Sequence, residues 1–323
     1  MAAEGAGDAG QILDVDLLRF ERGDEAARRA VVDGVRRSLA TGFVYASHDV
    51  PESLIDEAYG LLGDFFALDP DTKGRFGAAG SHGQTGYTGL LVETAASASV
   101  ADWKEMLNWG PTVPAGHPLR QRYPHTYRDQ VLPEAVVPGI TELLEQFRSS
   151  ILDLQVRFLR IIAVALGAHE AFFDDLLRDG PTLTRAIRYP AMVEAPGTEH
   201  VWAAEHGDIC LLAVLPRATA PGLQVRTESG WVDAAAPAGS AIINTGMMLE
   251  RLSNGVLPTG RHRVVAGAEV TAERLSVVQF CHPTPWTVLA PLASCCTDER
   301  RQRYGAIEAG NLLDDVLWQI NLI

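Results

Sequence analysis

The chain has 323 residues, 47% of them hydrophobic, which is enough to bury a large core as one big domain or two closely joined ones. Its 27 basic against 41 acidic side chains give a formal net charge of −14, which argues against a nucleic-acid groove or an anionic membrane surface as partner. Four cysteines, Cys210, Cys281, Cys295 and Cys296, form no C-x-x-C pair and are too few for a disulfide framework, so reduced thiols and a cytoplasmic location are expected.

The opening MAAEGAGDAGQ has neither a basic nor an apolar run and reads as no signal peptide. Residues 1 to about 75 are expected to alternate a short strand, an amphipathic helix near DEAARRAVVDGVRRSLA, a strand at GFVYA, and a helix from Pro51 through Phe66 with Pro51 in its first turn. Residues 76–135 are rich in Gly, Pro and Ser and read as pocket-lining loops or linkers. The run ITELLEQFRSSILDLQVRFLRIIAVALG then places Leu144, Phe147, Ile151, Leu154, Phe158, Ile161 and Ala165 at helical spacing, with Gly167 as its stop. Glu142, Glu145, Arg148, Asp153, Arg157 and Arg160 are too dense for a lipid-facing span, so this is a scaffold helix backing a β core. From about residue 183 short strands dominate: TRAIRYP, ICLLAVLP, GLQVRT, WVDAAA, SAIINTG, HRVVAG and RLSVVQFCHP. Short strands separated by Gly and Pro turns favour a sandwich or barrel.

Chemistry enters with His206-Gly207-Asp208 and, further on, His262 in GRHRVV. Two imidazoles and one carboxylate are the set that holds non-haem Fe(II) on one face and leaves three positions open. An H-x-D tripeptide alone is a weak signal, and its surroundings strengthen it. In the apolar run RLSVVQF, strand alternation puts Arg274 and Ser276 on one face, a guanidinium and a hydroxyl that together make a fork for a carboxylate. Arg188-Tyr189-Pro190 lies just upstream of the H-x-D segment.

With HGDICLLAVLPRATAPGLQV, SNGVLPTGRHRVV and the R-x-S pair in this order, the chain resembles the isopenicillin N synthase-like group of Fe(II)- and 2-oxoglutarate-dependent oxygenases. GYTGLLVETAASASVADWKEMLNWG is similar to the segment that bacterial members place before the catalytic core, and the resemblance extends over nearly the whole chain. It implies a mixed fold with a β core: a double-stranded β-helix (jelly roll) flanked by helices, with an α/β N-terminal region. Residues 1–135 would be that region with its pocket loops, 136–180 the scaffold helix, 181–290 the catalytic core and 291–323 a C-terminal helical segment, all one integrated domain. It further implies Fe(II) on His206, Asp208 and His262, with 2-oxoglutarate anchored by Arg274 and Ser276, Tyr189 as a further donor, and O2 as the oxidant. The implied activity is hydroxylation, desaturation or cyclisation at an unactivated C–H bond of a small metabolite, in bacterial specialised biosynthesis such as that of antibiotics. Two other readings stand beside it: a 2-oxoglutarate-independent Fe(II) oxidase, in which the R-x-S pair holds a substrate carboxylate, and a non-catalytic metal-binding module.

The chain departs from the family pattern at Ile187, where many plant members carry Asn, and at Met247, where most bacterial relatives carry Asp in N-x-G-D-M-L. Arg185 and Arg188 fall on different faces of a regular strand, and an inward one suggests an anionic substrate group, whereas an outward one is a salt bridge. Tyr87, Thr88, Leu91 and Asn108 lie in the loop-rich region that in relatives approaches the iron, and are the remaining substrate candidates. His200 is expected at the surface and His282 as a satisfied core or turn histidine. The expected partner is a small molecule, with no nucleic acid and no membrane, on a monomer or homodimer.

Overall fold

The computed structural model describes residues 11–95, 97–267 and 271–319. The reading of MAAEGAGDAG as no leader lies outside those residues. At the N-terminus, strand and helix alternate as β1 (Asp14–Asp16), α1 (Glu25–Ser38), β2 (Phe43–Ser47) and α2 (Glu52–Phe66). Asp24 caps α1 by accepting from the Ala27 N–H at 2.8 Å, which satisfies one of the donors that a helix start leaves open. Pro51 stands at the N-cap of α2 and not inside its first turn.

The loop reading of residues 76–135 needs one correction. β3 (Gly86–Thr88) and β4 (Glu105–Trp109) pair antiparallel, and every residue of β4 is buried. A strand covered on both faces shows no alternation of apolar and polar residues, so EMLNW carries no pattern that marks it out.

The scaffold helix is α3 (Ile140–Ala165), and Leu144, Phe147, Ile151, Leu154, Phe158, Ile161 and Ala165 are all buried along it. Gly167 ends it in the left-handed region at φ 72°, where the Gly167 N–H reaches the Val164 carbonyl and the Ala168 N–H reaches that of Ala163 at 2.9 Å. Arg157, on the outer face, bonds Glu21, Asp49 and Asp153. No helix among the described residues is long and apolar enough to cross a membrane.

After α3 come β5 (Leu183–Tyr189), β6 (Ala203–His206), β7 (Leu212–Leu215), β8 (Leu223–Thr227), β9 (Gly230–Asp233) and β10 (Ser240–Thr245). A short α4 (Met247–Leu252) leads to β11 (His262–Val264), β12 (Arg274–Cys281), the small pair β13 (Val288–Leu289) and β14 (Ile307–Glu308), and finally α5 (Ala309–Gln319). An eight-stranded sheet in the order β1-β2-β10-β7-β12-β5-β4-β3 faces a four-stranded one in the order β6-β11-β8-β9. This is a jelly roll, and strands from the first third of the chain extend its large sheet at both ends.

Alternation along β12 divides the two sides of that sheet. Val277 and Cys281 join the core that contains α3, whereas Arg274, Ser276, Val278, Phe280 and then His282 face the cavity between the sheets. Gln279, on the helix side, is fully buried and locks α3 to the strand. Its amide donates to the Gln155 side chain at 3.0 Å and the Arg148 carbonyl at 3.2 Å, while its Oε1 accepts from Thr184 at 2.9 Å. Replacing it with Leu strands buried polar partners, so Gln279→Leu is expected to lose about 2–4 kcal/mol in denaturant unfolding. A loss under about 0.5 kcal/mol would mean that the lock does not bear on stability.

Candidate active site

The two imidazoles meet because of strand register. His206 ends β6 and His262 opens β11, and the antiparallel pairing sets these two residues directly opposite each other. Their ring centroids are 4.3 Å apart. Each ring is oriented by its own strand: Nδ1 of His206 lies 2.8 Å from the Ala204 carbonyl and Nδ1 of His262 lies 3.2 Å from that of Gly260. An N–H bonded at Nδ1 leaves the Nε2 lone pair as the ligand atom. Burial and the neighbouring His262 push the His206 pKa down to about 4, which keeps that ring neutral near pH 7.

Asp208 comes from the turn after β6, and α4 clamps that turn through the Met247 N–H, which donates to the Asp208 carbonyl at 2.8 Å. Gly246 is required there, since a Cβ would lie 2.1 Å from the Cys210 carbonyl oxygen. Asn244 donates to Asp208 Oδ2 at 2.7 Å, and Oδ1 faces His262 Nε2 at 4.0 Å. One ligand atom from each of the three residues lies within 4.8 Å of the others. Donors about 2.1 Å from a shared ion lie at most about 4.2 Å apart, so the set fits a metal after a small side-chain adjustment.

The same cavity, about 370 Å³ in volume, receives Arg274, Ser276 and Tyr189. Arg274 is 3% exposed and donates from Nε to the Ala220 carbonyl at 3.1 Å and from Nη1 to Ser276 Oγ at 2.8 Å. Its guanidinium stands 5.2 Å from the centre of the Tyr189 ring. Among the described residues no carboxylate pairs with it. A buried guanidinium without an anion is costly.

Residues 13–135 match the family model described as the N-terminal region of the non-haem dioxygenase in morphine synthesis, and residues 182–283 match that of the 2OG-Fe(II) oxygenase superfamily. A crystal structure of a 2OG-Fe(II) oxygenase family protein from Caulobacter crescentus superposes with a TM-score of 0.84 at 30% identity, covering 96% of this chain and 99% of that one. The chain belongs to the isopenicillin N synthase-like Fe(II)- and 2-oxoglutarate-dependent oxygenases. It is therefore an enzyme that uses Fe(II), 2-oxoglutarate and O2. Mugineic-acid 3-dioxygenase of Hordeum vulgare is 25% identical over 92% of this oxygenase and 82% of its own length. Isopenicillin N synthase of Flavobacterium sp. is 31% identical over 50% of this chain and 51% of its own.

The oxygenase places the substrate candidates unevenly. Arg185 lines the cavity, as Leu183, Ile187 and Tyr189 do from the same face of β5. Asn108 lies behind it and accepts from Arg185 Nε at 2.7 Å, so it holds that side chain and does not line the chamber. Arg188 points the other way, into ion pairs with Glu105 and Glu273 at 2.7 Å. Tyr87 donates to Glu105 and packs on Phe65, Thr88 sits beside Asn108, and Leu91 is 41% exposed. These four do not reach the cavity. Tyr87 and Thr88 belong to β3, which is separated from β5 by β4 and hence by about 10 Å at normal strand spacing.

Two histidines also differ from expectation. His200 is not at the surface: its side chain is 10% exposed, with Nδ1 3.0 Å from the Ala101 carbonyl. The Trp103 N–H donates to the Val201 carbonyl at 2.8 Å and ties the two segments together beside that ring. His282 is buried as expected but not satisfied, since its Nδ1 has no partner among the described residues, and burial pushes its pKa down to about 4. At the departures from the family pattern, Ile187 and Met247 both line the cavity and make those positions apolar.

The sequence reading missed Asp102, which accepts from Lys104 at 2.8 Å and from the Ala204 N–H at 3.0 Å and so pins β6 beside His206. The charges of D-W-K-E next to an apolar run were the available signal. Also missed were Glu93, the cover of the cavity by Leu313, Val316 and Leu317 of α5, and the Asn244 bond to Asp208. Asn244→Leu removes that donor, and anaerobic titration is expected to show Fe(II) binding weakened about 10- to 100-fold with the circular-dichroism spectrum unchanged. Unaltered affinity would show that Asn244 does not orient the ligand.

Proposed function

We propose that this oxygenase oxidises an unactivated C–H bond of a small metabolite, with Fe(II) on His206, Asp208 and His262 and 2-oxoglutarate on Arg274 and Ser276. The observation that carries the reading is the buried Arg274, which has no carboxylate partner among the described residues and shares one cavity with the His/Asp/His set. Bound together with 2-oxoglutarate and O2, Fe(II) supplies the oxidant and the co-substrate leaves as succinate and CO2.

The chain's own residues have separate tasks in this scheme. Arg274 and Ser276 hold the far carboxylate of the co-substrate, and Tyr189 packs under the guanidinium. Leu215, Leu223 and Val264 wall that end of the cavity with apolar surface, which excludes water and strengthens the ion pair. Leu313, Val316 and Leu317 of α5 cover the cavity, so a substrate carbon is held near the triad with little solvent to intercept the oxidant. Arg185, Phe280 and His282 face the part of the chamber left for substrate.

The relatives support a small polar metabolite: one is named for mugineic acid, and a Neurospora crassa enzyme of the same fold, at 24% identity and TM-score 0.84, was crystallised with α-ketoglutarate and thymine. The match to isopenicillin N synthases supports specialised biosynthesis of the antibiotic type in a bacterium. The four free cysteines support a cytoplasmic setting.

Product formation with a candidate metabolite is expected to release one succinate per oxidised product, and turnover without any 2-oxo acid would replace this reading with that of a co-substrate-independent oxidase. Arg274→Ala is expected to weaken 2-oxoglutarate binding by about 2–5 kcal/mol, read from the visible absorption of the anaerobic Fe(II) chelate. An unchanged dissociation constant would move the anchor to another residue.

A further inference from the structure

Resting on the reading of this cavity as the substrate chamber, one cluster of charges in its wall narrows what can enter. Glu93, Asp102, Lys104 and Arg185 line it together, joined by ion pairs. Two acids face two bases, so the group is neutral as a whole and Arg185 is not an uncompensated cation waiting for an anion. Asp102 accepts at normal distance on both oxygens, from Lys104 at 2.8 Å and from the Ala204 N–H at 3.0 Å. Glu93 does not. Its two contacts, Lys104 on Oε1 and Arg185 on Oε2, are both 3.4 Å long, beyond the usual range for a charge-assisted bond.

A carboxylate can accept about four hydrogen bonds, and this one, with its side chain 16% exposed at the cavity wall, keeps lone pairs for a ligand. Glu93 is also held in place, because the Asp102 N–H donates to its carbonyl at 3.0 Å. Burial raises its pKa, but the neighbouring Lys104 and Arg185 outweigh that and lower it to about 2, which keeps it ionised. An anion with open lone pairs is therefore built into the chamber wall, next to a guanidinium that gives Nε to Asn108, Nη1 to Glu93 and Nη2 to the Gly83 carbonyl and carries a second N–H on each Nη nitrogen.

We propose that Glu93 determines specificity by accepting a hydrogen bond from a substrate N–H or O–H while Arg185 beside it donates to an adjacent substrate carbonyl. The chamber then takes a neutral molecule with donor and acceptor side by side, as in an amide or lactam, and disfavours a free carboxylate. Arg185 would reject the wrong pattern as firmly as it accepts the right one, since its charge is already answered by Glu93.

Benzamide and benzoate share a shape and differ in this one feature, so they serve as probes. Binding is read from iron-induced broadening of probe proton lines on anaerobic Fe(II) enzyme saturated with 2-oxoglutarate. Wild type is expected to prefer benzamide about tenfold. Glu93→Gln keeps the shape but leaves Lys104 and Arg185 in excess, and is expected to reverse the preference toward benzoate. Arg185→Gln leaves Glu93 in excess and should instead favour benzamidine, a check that does not depend on the first variant folding. The proposal is overturned if wild type binds benzoate as well as benzamide or binds neither, or if both variants keep the wild-type order. A missing Fe(II) chelate absorption in wild type would instead bring down the co-substrate reading, and this proposal with it.

Discussion

Everything at this site depends on one pairing: residue 206 on β6 stands opposite residue 262 on β11. A slip of one position would turn one imidazole to the other face of the small sheet and break the metal set. The surrounding structure holds that register from several directions. Asp102 bonds the N–H of Ala204, the Ala204 and Gly260 carbonyls hold the two Nδ1 atoms, and α4 clamps the turn that carries Asp208. These contacts fix ligand orientation before any metal arrives, which suits an open catalytic centre more than a closed structural one.

The large sheet solves a different problem, that of placing charge in a dry interior. Along β12 the side chains at 274 and 276 form one end of the cavity, and on β5 the side chain at 185 belongs to the other. Among the described residues Arg274 is left without an acid, whereas Arg185 and Lys104 are matched by Glu93 and Asp102. Under the two proposals above, the first takes the anion of the co-substrate and the second takes hydrogen bonds with no net charge. Gln279 and α3 stiffen the strand that joins these two ends from the opposite face of the sheet.

Much of this was legible in the sequence, for a physical reason. Arg274 and Ser276 are separated by two positions on one strand, a spacing that strand geometry turns into a shared direction, and His206 and Asp208 carry the H-x-D spacing across a strand end and its turn. The scaffold helix declared itself through seven apolar positions, and its end through Gly167. Residues whose roles depend on contacts between distant segments left no such trace. Glu93 meets Arg185, and Asp102 meets Ala204, across about a hundred positions of chain. Tyr87, Thr88 and Leu91 were drawn from the right region but sit on an edge strand or outside the sheet. β4 hid because both of its faces are buried, and His282 looked satisfied because a sequence shows a residue type and not its missing partner.

Anomalous diffraction at the iron edge from crystals grown anaerobically with Fe(II) and 2-oxoglutarate is the most direct test of the central claim. The account predicts one strong peak within bonding distance of His206 Nε2, His262 Nε2 and an Asp208 carboxylate oxygen, with the far carboxylate of the co-substrate on Arg274. Iron bound at full occupancy elsewhere, with these three side chains unligated, would contradict it.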